Sequence, residues 1–158
     1  LPLGAVLGKD SVMNGLPKGS LGGTYSGNPV ACAAANATLD IMEEGSVWES
    51  AKAYEQTLVS NFESWKAEGV SNWLHKLTGI GAMRGIELRH PKHGTSPEIM
   101  AKILSEARDK GLLLMPSGKY RHIIRLLPPL TIEPEVLQQG LDILKQVLSA
   151  LPDELAEV

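Results

Sequence analysis

Val47, Ala51, Tyr54, Leu58, Phe62 and Trp65 recur at spacings of three and four along the chain. On a helix of 3.6 residues per turn they form one apolar stripe, which must be buried against a second layer. The sequence also marks the ends of that helix. SVWE, Ser46 to Glu49, has the capping-box pattern, and Gly69 terminates the run. The segments that follow supply the second layer. HKLTGIGAMRGIEL reads as two short extended pieces joined around Gly79 and Gly81, and HPKHGTSP reads as a turn. A helix is predicted from about Pro97 to Lys110, with Ile99, Ile103 and Ala107 inward and Gly111 just past its end. LLLM, Leu112 to Met115, reads as a buried strand, and IIRLL, Ile123 to Leu127, as another. The last helix starts near Pro134, with Leu137, Leu141, Leu144 and Leu148 on one side, behind Glu133, a weak cap. Helices alternating with short strands predict an α/β fold, a two-layer arrangement of a short sheet and helices, over residues 45–158.

Residues 1–44 read differently. LPLGAVLG is apolar from its first residue and reads as a buried strand, Leu3 to Leu7, whose beginning lies outside the chain. The expectation is therefore a fragment of a longer protein. A loop of about twenty residues rich in Gly, Ser, Asn and Pro follows, long for a compact domain. Asn28 is placed to cap a helix opening at Pro29, running to about Glu44 and stopping at Gly45.

Composition narrows the function. Among 158 residues, 43% are hydrophobic and 21% charged, enough for a soluble core, and the net charge of −3 with no basic patch argues against nucleic acid and anionic membranes as partners. Cys32 stands alone, which excludes an internal disulfide and suits a reducing, cytoplasmic setting. No apolar run is long enough to span a bilayer. His90 and His93 lie in a Pro/Gly turn without a ligand partner at metal spacing, so no metal site is expected. No catalytic triad or paired-carboxylate motif declares itself, and no catalytic residue is assigned.

Two features invite chemistry. In LGGTYSGNPVACAAANA, Gly22 and Gly23 permit close backbone approach, Thr24 adds a hydroxyl, and a helix N-terminus with unsatisfied amides follows. The turn is either a plain cap or a phosphate seat; it is not a P-loop. The second feature is Arg125. Strand alternation puts it with Ile123 and Leu127 on one face, between apolar neighbours. A guanidinium embedded there requires an anion, either a ligand carboxylate held by its planar fork or an internal Glu or Asp.

Taken together, these segments resemble the class III (ω-amino acid) aminotransferases, which use pyridoxal phosphate. GGTYSGNPVACAAANATLDIMEE is similar to the family's loop and interdomain helix. GIGAMRGIEL, ARDKGLLL and IIRLLPPLTI are similar to successive landmarks of its C-terminal domain. PSGKYRHIIRLLPPLTI is most similar to 4-aminobutyrate aminotransferases. The resemblance implies that residues 1–44 are the end of the large cofactor domain plus the interdomain helix, and that residues 45–158 are the small C-terminal domain. It implies that Thr24, with Gly23 beside it, binds the cofactor phosphate of a neighbouring subunit in a homodimer or larger assembly. It implies that Arg125 binds the α-carboxylate of 2-oxoglutarate or glutamate. The lysine that bears the cofactor would lie before Leu1, so the isolated chain is expected to be inactive. Arg84 departs from the apolar residue usual in GAMRGIEL. The rival expectation is a non-catalytic α/β regulatory or dimerisation module in which both features are structural.

Overall fold

The computed structural model describes residue 1 and residues 3–153. The chain divides into two compact units, Leu1–Ser46 and Val47–Val158.

The first unit holds a short helix α1 (Asp10–Met13), inside the stretch expected to be all loop, and the longer helix α2 (Pro29–Glu43). Asn28 caps α2 as its sequence predicts: its side-chain oxygen accepts from the amides of Val30 at 3.0 Å and Ala31 at 3.1 Å. Gly45, at φ +88°, closes the helix in the left-handed conformation that glycine adopts without strain. The strand expected at Leu3–Leu7 does not form. Those residues are irregular and exposed, Leu7 at 99%. An apolar run becomes a strand only when a neighbour completes its hydrogen-bond ladder. No described residue of this unit offers one.

In the second unit, α3 (Ser46–Ala67), α4 (Pro97–Asp109) and α5 (Pro134–Ser149) pack on a four-stranded antiparallel sheet. The strands are β1 (Leu74–Ile80), β2 (Met83–Leu88), β3 (Met115–Ser117) and β4 (Ile123–Leu126), in the order β1-β2-β4-β3. Ser46 is the first helical residue of α3 rather than a residue ahead of it. The predicted stripe is real: Tyr54, Leu58, Phe62 and Trp65 are buried, and they meet Ile99, Ile103 and Ala107 of α4 and Leu137, Leu141, Leu144 and Leu148 of α5. Ile86, Leu88 and Ile124 close this core from the sheet side. Trp73, outside the stripe, is fully buried, and its indole N–H donates to the Pro152 carbonyl at 2.9 Å. Glu133 makes no side-chain cap on α5, in line with its poor capping chemistry.

The strand expected at Leu112–Met115 is shifted. Pairing with β4 starts only at Met115 and runs to Ser117. Residues 112–114 are occupied in leaving α4: Gly111 takes φ +89°, and the Leu112 amide bonds back to Ala107 O at 2.8 Å. Leu113 is left exposed. Among the described residues, no helix is long and apolar enough to cross a membrane.

Candidate functional site

The turn before α2 answers the choice between cap and anion seat in part. Pro29 has no amide proton, and the amides of Val30 and Ala31 are both taken by Asn28. The helix end itself therefore presents no free first-turn donors, which corrects the expectation of unsatisfied amides there. What stays available lies five residues upstream. Ser26 N–H bonds Gly23 O at 3.1 Å and Asn28 N–H bonds Tyr25 O at 3.2 Å, folding residues 24–27 into a turn. Thr24 is exposed at its start, and neither its hydroxyl nor its amide has a partner among the described residues. A side chain at Gly23 would start 3.3 Å from the Ser26 hydroxyl, so glycine suits this tight turn. The segment from Gly19 to Asn28 contains no acidic residue. Its donor set of hydroxyl and amide groups without a competing carboxylate matches the requirements of a phosphate.

The second unit contains two arginines on neighbouring strands, and the embedded one is Arg84, not the Arg125 that the sequence expectation placed there. Arg84 of β2 is the embedded one. Its side chain is 10% exposed and lies on the helix-covered face. One terminal nitrogen pairs with Glu55 of α3, the other donates to Gly79 O at 2.8 Å, and Nε donates to Gly81 O at 3.1 Å. A guanidinium there must have such partners, because it cannot shed its proton and cannot reach water.

Arg125 of β4 is exposed, not embedded. Its faces alternate as expected: Ile124 turns into the core, while Ile123 and Arg125 turn to the other side. That side has no helical layer in this unit, and Ile80, Met83 and Met115 are exposed on it. Gly85 lies directly across from Arg125 on β2, and Met115 on β3. Among the described residues the Arg125 side chain has no hydrogen bond and no ion pair, so the internal Glu or Asp considered as its partner is not there. Arg125 is also one of the residues bounding a largely apolar cavity of about 400 Å³, whose walls include Leu58, Leu126, Leu137 and Leu144 of the helix-covered side, with Gln139 the other polar residue.

The sequence reading passed over the Arg84–Glu55 pair and a second one, His122 Nε2 to Glu87 Oε1 at 3.9 Å. The alternation of β2 placed Arg84 with Ile86 and Leu88, and that was the available signal for a buried cation needing an acid. Nothing local pointed to Glu55, because α3 and β2 meet only in the folded chain. His90, buried against Trp73 and stacked on His93 at 4.6 Å between ring centroids, uses Nδ1 to accept the Lys92 amide.

The sequence profile of the class-III aminotransferases matches residues 1–148. The 2-aminoadipate transaminase of Pseudomonas putida is 56% identical over 96% of this chain and 36% of its own length. A 4-aminobutyrate aminotransferase of Mycobacterium leprae is 39% identical over 94% of this chain and 33% of its own. Among solved structures, the pyridoxal phosphate-bound amine transaminase of an uncultivated Pseudomonas species superposes with a TM-score of 0.72 at 28% identity, over 84% of this chain and 30% of that one. The chain spans about a third of the length of the curated relatives it matches.

Proposed function

The chain belongs to the class-III aminotransferases, enzymes dependent on pyridoxal phosphate, and from that premise we propose that it supplies two anion contacts of a transaminase, Arg125 for a substrate carboxylate and Thr24 for the cofactor phosphate. In this reading residues 1–44 close the large domain and residues 45–158 form the small one. The observation that carries the proposal is the exposed guanidinium of Arg125, which has no partner among the described residues. A structural arginine, as a non-catalytic module would require, should resemble Arg84, with an internal acid. Arg125 instead has a free fork of five donors able to hold a carboxylate by two parallel bonds. Thr24, with Gly23 keeping the backbone close, offers a hydroxyl and amide set to phosphate. When bound, pyridoxal phosphate supplies the reactive carbonyl and the electron sink for amino-group transfer. The residues of this chain bind and orient; the proton-handling group is assigned to none of them.

The substrates follow from the same arginine. We infer a 2-oxo acid acceptor such as 2-oxoglutarate, whose α-carboxylate Arg125 grips. For the donor, the 56% identity to a 2-aminoadipate transaminase favours an α-amino dicarboxylic acid. The second reading, 4-aminobutyrate, is supported by relatives at 39%. The two differ at Arg125, because 4-aminobutyrate has no α-carboxylate. The test is Arg125→Lys in an aminotransferase polypeptide carrying this segment, followed by single-turnover cofactor absorbance. Loss of the fork costs a charge-assisted hydrogen bond of about 1.5–3 kcal/mol, roughly 10- to 150-fold in apparent affinity. An α-amino donor predicts that loss in both half-reactions with unchanged thermal stability. A 4-aminobutyrate donor predicts it in the 2-oxo acid half alone. Unchanged affinity for 2-oxoglutarate overturns the carboxylate reading. Thr24→Ala in the same series is expected to weaken retention of pyridoxal phosphate, read by dialysis, without altering 2-oxo acid selectivity.

A further inference from the structure

The face of the sheet that carries Arg125 also carries an acid. Glu87 of β2 stands opposite Ile123, and Arg125 stands opposite Gly85. Glu87 and Arg125 are thus diagonal cross-strand neighbours, a relation that puts Cα atoms roughly 7–8 Å apart and within reach of long side chains. Glu87 is the one acidic residue among the strand residues of that face, which otherwise presents Lys76, Thr78, Ile80, Met83, Gly85, Met115, Ser117 and Ile123. An exposed arginine with such a neighbour would ordinarily pair with it and be neutralised.

It does not, and the surrounding groups give a reason. The Glu87 carboxylate is turned toward His122, whose Nε2 lies 3.9 Å from Oε1. His122 Nδ1 is buried without a partner, so the imidazole acts on its surroundings through Nε2. Lys76 stands opposite Glu87 on β1, the side of β2 away from Arg125. Ile123 leans over Gly85 along the other diagonal: a side chain on Gly85 would start 2.8 Å from Ile123 Cγ2. It stands between acid and guanidinium. Tyr120 and Lys119, in the turn that also carries the exposed Arg121, face His122 and each other: the Tyr120 ring lies 5.9 Å from the imidazole, and Lys119 sits over the tyrosine.

We propose that His122 is a positioning residue that holds Glu87 off Arg125, leaving the guanidinium free for a substrate carboxylate. The proposal rests on the reading of Arg125 as the carboxylate contact. Glu87 is a latent internal competitor, and releasing it should raise KM for the 2-oxo acid without changing kcat at saturation. The experiment is a double-mutant cycle in the holoenzyme polypeptide carrying this segment, with 2-oxoglutarate as the probe. His122→Gln is expected to raise KM about two- to fivefold, the strength of an exposed ion pair. Glu87→Gln leaves KM equal or lower, and the double variant behaves as Glu87→Gln alone. A structural role for His122 predicts instead that its effect persists in the Glu87→Gln background, or falls on kcat and thermal stability; either result overturns the proposal, as does an unchanged KM in His122→Gln. His122→Asn serves as a second variant should His122→Gln fold poorly. Arg125→Lys separates the two layers of inference. If it leaves KM unchanged, the carboxylate reading fails and this one with it. If it raises KM while the cycle shows no suppression, only the role of His122 is lost.

Discussion

Ile124 and Arg125 are consecutive residues of β4, and the pleat sends them to opposite faces of the sheet. Ile124 has no exposure and belongs to the core shared with α3, α4 and α5. Arg125 is exposed on the face without helices. The same contrast separates the two strand arginines. Arg84, on the covered face, has every interaction its position demands: Glu55 and two carbonyls. Arg125, on the uncovered face, has none among the described residues. A cation withdrawn from water must find partners, whereas one that faces water can remain unpaired at little cost. The difference separates an arginine that is part of the architecture from one that no described residue engages.

The largest effect that could break this comparison is on stability. In the 158-residue chain, Ile124→Ala should cost about 2–5 kcal/mol by leaving a cavity in a close-packed core. Arg125→Ala, one position on, should stay within about 0.5 kcal/mol, as surface substitutions do. Urea denaturation of both variants decides the matter. An equal loss at Arg125 would mean that it is structural after all.

A smaller effect concerns the buried cation. Glu55→Gln removes the charge partner of Arg84 and should cost about 1–3 kcal/mol, toward the lower end because the Glu55 side chain is 37% exposed. Replacing both residues, Glu55→Leu with Arg84→Met, should recover most of that, since an apolar pair has no desolvation to offset. Failure of the double variant to recover would show that the carbonyl bonds of Arg84, rather than its charge, hold β2 to α3.

The smallest effect belongs to the rim of the helical layer. Ser96 caps α4 by accepting the Ile99 amide at 3.2 Å, and its hydroxyl donates to Glu98 at 2.7 Å. That hydrogen bond holds the Glu98 carboxyl below its ordinary value, as the bond from Lys145 does for Glu68. A carboxyl lowered in the folded state contributes stability that is present above its unfolded value and is lost as pH falls through the folded one. Stability should therefore decline below the ordinary value of 4.5, and Glu98→Gln should make that decline shallower. Ser96→Ala should cost about 1 kcal/mol at neutral pH. An acid limb unchanged by Glu98→Gln would remove that residue from the account.

What a chain reveals by itself depends on the range of the interaction involved. The stripes of α3, α4 and α5, the Asn28 cap, the glycine stops and the hairpin of β1 and β2 were legible because each is encoded within a few residues. So was the alternation that puts Arg125 opposite Ile124. The strand expected at Leu3–Leu7 failed because an apolar run does not contain its own ladder partner, and Leu112–Met115 failed because the exit from α4 consumed the residues that would have paired. Thr24 and Arg125 were singled out from sequence by chemistry and by resemblance. Which arginine is buried was not legible, since Arg84 and Arg125 both sit in apolar strands. Burial was settled when three helices closed over one face of the sheet, bringing Glu55 to Arg84 across 29 residues and leaving the other face bare. Periodicity assigns a residue to a face; only packing between distant segments decides which face loses its water.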